Sequence, residues 1–222
     1  HAGKNSSYAI GCGEIHGLGP AGHKGKGTWF VAEGDEYVTD PGHDPTPRFM
    51  WLEPEILVVT NIDYDHPDAY PNLLAVQAAF AALGKKSKEI IVNADDANSR
   101  MVASELTYGF SPASAYRITH IGTGVERSFF SLEERGVSLG EFTIKVPGRH
   151  NVLNATAAMI AAHQTGVSWD ELRKGMLAFT GTKRRFEKIG ERRGVAFIDD
   201  YAHHPAEIAA TLAAARSWYP DR

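Results

Sequence analysis

A single cysteine, Cys12, is the whole thiol content of the 222 residues, which excludes an internal disulfide framework. It lies in Ile10-Gly11-Cys12-Gly13 with no base beside it in sequence, so it reads as a small packed residue and not a nucleophile. No apolar run reaches the length of a membrane span and no signal-peptide pattern is visible, so the expected compartment is the cytoplasm. A positive surplus is missing as well. Lys and Arg number 23 against 27 Asp and Glu, a formal net charge of -4 that argues against nucleic acid or an anionic membrane as partner. A phosphate loop of the form G-x-x-x-x-G-K-[ST] is also wanting. The nearest approach, Ala2-Gly3-Lys4-Asn5-Ser6-Ser7, has Asn5 at the hydroxyl position and no strand before it. With 43% hydrophobic and 23% charged residues, the remainder is an ordinary globular composition, long enough for one large domain or one and a half.

The stretch around which the chain is organised runs from Val58 to Asp68. Ile56 to Thr60 is a short, β-branched apolar run, the pattern of a strand buried on both faces of a parallel sheet. It stops in Asn61-Ile62-Asp63-Tyr64-Asp65-His66-Pro67-Asp68. Ligands of open parallel sheets sit outside the carboxyl ends of the strands, which is where Asp63, Asp65 and His66 are delivered. Oxygen donors beside one nitrogen suit Mg²⁺ or Mn²⁺ better than zinc. The same residues read equally well as an Asp- and Pro-rich turn that caps the next helix.

Other elements repeat the theme. Thr28 to Ala32 reads as a strand that ends in Glu33-Gly34-Asp35-Glu36-Tyr37, so two strands finishing in carboxylates point either to a shared metal site or to a solvated helix turn. Thr39 to Pro47, with three prolines, reads as an irregular loop of the kind that forms lids or specificity loops. Helical spacing over Asn72 to Leu83, a strand over Glu89 to Val92 and a short helix over 97–106 follow. The strand–helix–strand alternation predicts an α/β fold with a mostly parallel sheet flanked by helices. Phe129 to Leu132 and Phe142 to Val146 read as a small antiparallel ribbon packed beside that sheet.

Pro147-Gly148-Arg149 opens a helix predicted to end at about Gln164, with Gly166 as stop signal, and Ser168 caps another that runs to Phe179. His150, Asn151 and Asn154 on the first turns either hydrogen-bond a base or phosphate or cap the helix. Thr182-Lys183-Arg184-Arg185-Phe186-Glu187 is the densest basic run, either solvated or placed to clamp a phosphate. A strand at Val195 to Ile198 ends in Asp199-Asp200-Tyr201-Ala202-His203-His204-Pro205, before a final helix to Trp218. One strand and one helix cannot bury a core of their own, so this unit reads as the beginning of a further domain.

Together these motifs resemble the Mur ligase family, the ATP-dependent amide-forming enzymes of peptidoglycan synthesis. The matching pieces are Phe30 to Glu36, Val59 to Tyr70, Pro147 to Ala155, Lys183 to Glu187 and Asp199 to Pro205, in the family's order over nearly the whole chain. The resemblance is greatest to members that join L-alanine to UDP-N-acetylmuramate. It implies ATP and Mg²⁺ as cofactors. Glu33 and His66 would hold the metal; His150, Asn151 and Asn154 would contact the nucleotide; Arg185 would meet its phosphates or ribose, and Asp200 its ribose. His66, Arg185, His203 and His204 would form the catalytic set, with the two histidines near the amino-acid acceptor. Residues 1–186 would be the central ATP-binding domain, and 187–222 the first strand and helix of a Rossmann-like C-terminal domain.

The departures shape the expectation. Lys4 and Glu33 are only 29 positions apart, too few for a phosphate loop, its helix and the next strand. The chain is therefore expected to be a fragment without the phosphate loop and the sugar-nucleotide domain, and inactive alone. Members that attach a preformed tripeptide to the same sugar nucleotide share the Glu-x-Asp-Glu-Tyr pattern and the double histidine, so the acceptor stays open. A metal-dependent hydrolase using Glu33, Asp65 and His66, and a non-catalytic nucleotide-binding module, are the readings from other classes.

Overall fold

The computed structural model describes residues 2–124 and 126–221. In chain order the elements are β1 (Ser7–Ala9), β2 (Gly22–His23), β3 (Phe30–Ala32), β4 (Val38–Asp40), β5 (Asp44–Pro47), β6 (Ile56–Val59), α1 (Leu73–Gly84), β7 (Glu89–Asn93), β8 (Leu106–Gly109), β9 (Tyr116–Gly124), β10 (Arg127–Glu134), β11 (Val137–Ile144), α2 (Arg149–Gln164), α3 (Trp169–Ala178), β12 (Glu187–Arg192), β13 (Val195–Asp199) and α4 (Pro205–Trp218).

The central sheet has six strands in the order β11-β10-β9-β8-β7-β6. From β6 to β9 the pairs are parallel, and from β9 to β11 antiparallel. Adjacent residues of β7 divide between the two faces, as strand alternation requires. Val92 joins Val59 and Val76 in a core under α1, whereas Ile91 joins Phe130, Phe142, Met159 and Ile160 in the larger core under α2 and α3. On α2 the buried residues are Val152, Thr156, Ala157, Met159 and Ile160, one helical face. The Thr156 hydroxyl donates to the Val152 carbonyl at 2.8 Å, so the one polar group in that face is satisfied.

Helix ends follow the sequence signals. Asn72 caps α1 through a 3.0 Å bond from the Ala75 N–H. Ser168 and Glu171 form a reciprocal capping box at α3, and α2 stops before Gly166, whose φ is +86°. Lys4, rejected as a phosphate ligand, places its ammonium 2.8 Å from the Thr165 carbonyl at the C-terminus of α2, where the helix dipole favours a cation.

The structure differs from the sequence reading in four places. The ribbon does not lie beside the main sheet; β9 bridges β8 and β10, so it continues that sheet. The short helix expected over 97–106 is one 3₁₀ turn, Ser99–Met101, before the strand β8. The loop from Thr39 to Pro47 is partly ordered as the β4–β5 hairpin, closed by Gly42 at φ +82°. The last unit contains a hairpin, β12 with β13, in place of a single strand. Among the described residues β3 pairs with β1 in a separate three-stranded sheet, ordered β2-β1-β3.

Candidate functional site

Two polar neighbourhoods hold the residues singled out from the sequence. The first is the loop after β6. Its start is fixed from β7 and the turn that follows: Asn93 Nδ2 donates to the Thr60 carbonyl at 2.8 Å, and Asn98 Nδ2 to the Ile62 carbonyl at 2.9 Å. Asp96 Oδ2 accepts the Ile62 N–H at 3.2 Å and the Ser99 N–H at 2.7 Å. With the Ile62 side chain buried, the chain beyond it is aimed at the acidic loop after β3.

The two loops do meet, through His66 on one side and Glu36 and Tyr37 on the other. His66 Nε2 lies 3.1 Å from Glu36 Oε1, while the Glu33 carboxylate accepts the Gly11 N–H at 2.6 Å. The Tyr37 ring packs on the His66 ring, centroids 4.9 Å apart, and the Tyr37 hydroxyl donates to Asp68 Oδ2 at 2.6 Å. Tyr70 donates to the Glu36 carbonyl at 2.6 Å, and Arg48 pairs with Asp35 at 2.6 Å. The Tyr37 hydrogen bond holds the Asp68 carboxyl below the usual carboxylate range and raises the Tyr37 phenol in return. Burial, with Glu36 and Asp35 close by, pushes the Tyr70 phenol up to about 12. Asp63 turns to the Tyr64 N–H, and Asp65 is exposed.

The second neighbourhood joins the start of α2 to the junction before β12. Gly148 has φ +96°, and a Cβ there would fall 2.6 Å from His150 Cε1. Packing around the His150 imidazole lowers its pKa, opposed by the negative charge of Asp200. His150 and Asn154 share one helix face four residues apart, and Asn154 is exposed. Asn151 turns back, its amide donating to the Pro147 carbonyl at 2.7 Å. Arg185 lines a cleft of about 320 Å³ with Lys145, Thr182, Phe186, Lys188 and Trp218. Both Asp200 oxygens accept backbone N–H groups, from Phe186 and Ala202, each at 2.8 Å. His203 Nδ1 approaches the Tyr201 carbonyl at 3.0 Å, and His204 serves as N-cap of α4 in a capping box with Glu207.

Glu36, Tyr37, Asp68 and Asp96 were not singled out from the sequence as site residues, although Tyr37 and Asp68 directly follow the two carboxylate clusters. Among the described residues no three His, Cys, Asp or Glu side chains converge as a metal cage. A cation at Glu33 or His66 would thus take few protein ligands. That donor set fits Mg²⁺, which keeps waters and is bound largely through substrate phosphates, better than a metal that needs a full protein cage. The imidazole, carboxamide and guanidinium groups of His150, Asn154 and Arg185 likewise fit a nucleotide.

The fold is shared with known proteins. Residues 42–162 match the Mur ligase middle domain and residues 184–222 the Mur ligase glutamate ligase domain; the chain belongs to the Mur ligase family. It is 41% identical to the UDP-N-acetylmuramate–L-alanine ligase of Oleidesulfovibrio alaskensis over all of its own length and 48% of that protein's. The chain thus spans about half the length of the curated relatives it matches. Among solved structures, the UDP-N-acetylmuramate-alanine ligase of Thermotoga maritima superposes with a TM-score of 0.82 at 25% identity, covering 98% of this chain and 49% of that one. The UDP-N-acetylmuramate:L-alanyl-γ-D-glutamyl-meso-diaminopimelate ligase of Neisseria meningitides gives 0.71 at 23% identity, over 82% of this chain and 60% of that one, a likeness of fold.

Proposed function

We propose that this chain is the nucleotide-handling part of an ATP-dependent ligase that joins L-alanine to UDP-N-acetylmuramate in bacterial peptidoglycan synthesis. The observation that carries the reading is the 41% identity, sustained over every residue of the chain, to a ligase of that name. Residues 1–186 would be the central domain, and 187–222 the start of the C-terminal one. The substrates are water-soluble, and no helix among the described residues is long and apolar enough to cross a membrane, which accords with a cytoplasmic enzyme.

With Mg²⁺ bound, ATP would supply the γ-phosphoryl group that converts the sugar-nucleotide carboxylate to an acyl phosphate with release of ADP, and attack by the alanine amine would form the amide and release inorganic phosphate. This chain's residues would do the positioning and the charge neutralisation. Glu33 and His66 are the metal ligands we assign, with Glu36 and Tyr37 fixing the imidazole. His150, Asn151 and Asn154 would hold the nucleotide. A neutral imidazole at His150, favoured by its lowered pKa, can both donate and accept a hydrogen bond. Asp200 would sit at the ribose, and Arg185 would face the phosphates, where a guanidinium offsets charge as the phosphoryl group moves. His203 and His204 would stand near the acceptor.

The test is ADP release by the full-length parent given Mg-ATP, UDP-N-acetylmuramate and either L-alanine or the tripeptide. Turnover with L-alanine supports the reading, and turnover confined to the tripeptide replaces it with the tripeptide-adding ligase. Ester or phosphate hydrolysis without nucleotide would mark a hydrolase. We expect the 222-residue chain by itself to give no ADP.

A further inference from the structure

We propose that Asp200 is a positioning residue, a clasp that holds the linker between Thr182 and β12 in the shape that keeps Arg185 in its cleft. The linker is strained on both sides of that arginine. Arg184 has φ +58° and Phe186 φ +52°, both in the left-handed region that side chains with a Cβ seldom occupy. Such a conformation persists only where the surroundings over-determine it.

The surroundings here are a set of hydrogen bonds that converge on the peptides flanking Arg185. Asp200 Oδ2 accepts the Phe186 N–H at 2.8 Å, and Oδ1 accepts the Ala202 N–H at 2.8 Å, so one carboxylate ties the linker to the loop after β13. The Tyr201 N–H donates to the Arg184 carbonyl at 2.8 Å, and the Arg184 N–H to Glu187 Oε2 at 2.9 Å. The Arg184 guanidinium stacks 4.6 Å from the Tyr201 ring centroid, with its Nε 3.8 Å from Asp199. Arg185 lines the cleft bounded by Lys145, Thr182, Lys188 and Trp218, and its guanidinium carbon lies 6.0 Å from the same Tyr201 ring centroid. If the bond at Phe186 is lost, that residue is free to relax to negative φ, and the rotation carries the preceding side chain away from the cleft.

This inference rests on the reading of Arg185 as a nucleotide contact. It differs from a direct role of Asp200 at the ribose, because it places the effect of the carboxylate in the linker before any ligand is bound. The test uses the full-length enzyme without and with Mg-ATP. Hydrogen exchange at the Phe186 amide without nucleotide should be at least tenfold faster in Asp200→Ala and unchanged in Arg185→Ala. Asp200→Asn keeps one acceptor oxygen and should release only one of the Phe186 and Ala202 amides, which preserves a readout if the alanine variant does not fold. Asp200→Ala should raise KM for ATP, and the Asp200→Ala, Arg185→Ala double variant should lose less than the product of the two single losses, the remainder being the ribose contact. Unchanged Phe186 exchange, or losses that multiply in the double variant, would overturn the clasp. An enzyme indifferent to ATP whose Phe186 exchange still accelerates would retain the clasp and sink the ligase reading.

Discussion

Tyr37 and Asp68, 31 positions apart, are joined by a 2.6 Å hydrogen bond that spans the loops after β3 and β6. The bond depresses the Asp68 pKa below its unfolded value. A depressed carboxylate stabilises the fold above the unfolded pKa of about 4, and the contribution is lost as pH falls through the folded value. Tyr37→Phe should move the Asp68 carboxyl carbon titration upward in NMR and weaken the acid sensitivity of the urea midpoint. A titration that stays in place would show that the bond does not form in solution.

His66 is oriented by Glu36, and outer-shell partners of a metal-ligating histidine are worth about 10- to 100-fold in affinity. On the ligase reading, Glu36→Ala in the parent should weaken Mn²⁺ binding, followed by electron paramagnetic resonance, by roughly that factor while the melting temperature changes little. Full affinity in the variant would assign the orientation of His66 to Tyr37 alone.

Gly148 combines φ +96° with a Cβ position 2.6 Å from the His150 ring and 3.2 Å from Ala214. Gly148→Ala should cost about 1–3 kcal/mol, because the backbone conformation and the space are both wrong for a side chain. Chemical denaturation of the chain measures it, and a loss below a few tenths of a kcal/mol would contradict the geometry.

Ser168→Ala removes one half of the α3 capping box and should cost about 1 kcal/mol. The Ser168 hydroxyl and N–H also hold the Glu171 carboxyl below its ordinary range, so the same variant should let the Glu171 titration rise. A variant as stable as the parent would show that the cap is dispensable.

The helices were legible in the sequence because their signals are local. Asn72 and Ser168 mark starts by accepting backbone N–H groups with their side chains, Gly166 marks an end by its positive φ, and α2 and α3 lie within a residue or so of the expected bounds. Hairpins were legible only where apolar runs flanked the turn. Arg135-Gly136 and Arg193-Gly194 both close two-residue turns with positive φ at each position, yet only the first sits between phenylalanine-rich strands. The second follows the polar run Glu187 to Arg192, so β12 passed as a connection. For the site, the clusters themselves were visible, but the pairing of His66 with Glu36 was not. That choice depends on how the loop after β3 lies against the loop after β6, a relation no local spacing encodes.

The change from parallel to antiparallel pairing at β9 also divides the sheet by the length of chain each pairing must close. Joining β10 to β11 closes two residues, whereas joining β6 to β7 waits for the whole of α1 to be wound. Because closing a longer loop costs more entropy before any contact repays it, the meander from Tyr116 to Ile144 should acquire its hydrogen bonds first. The half of the sheet that carries His66 should then form last.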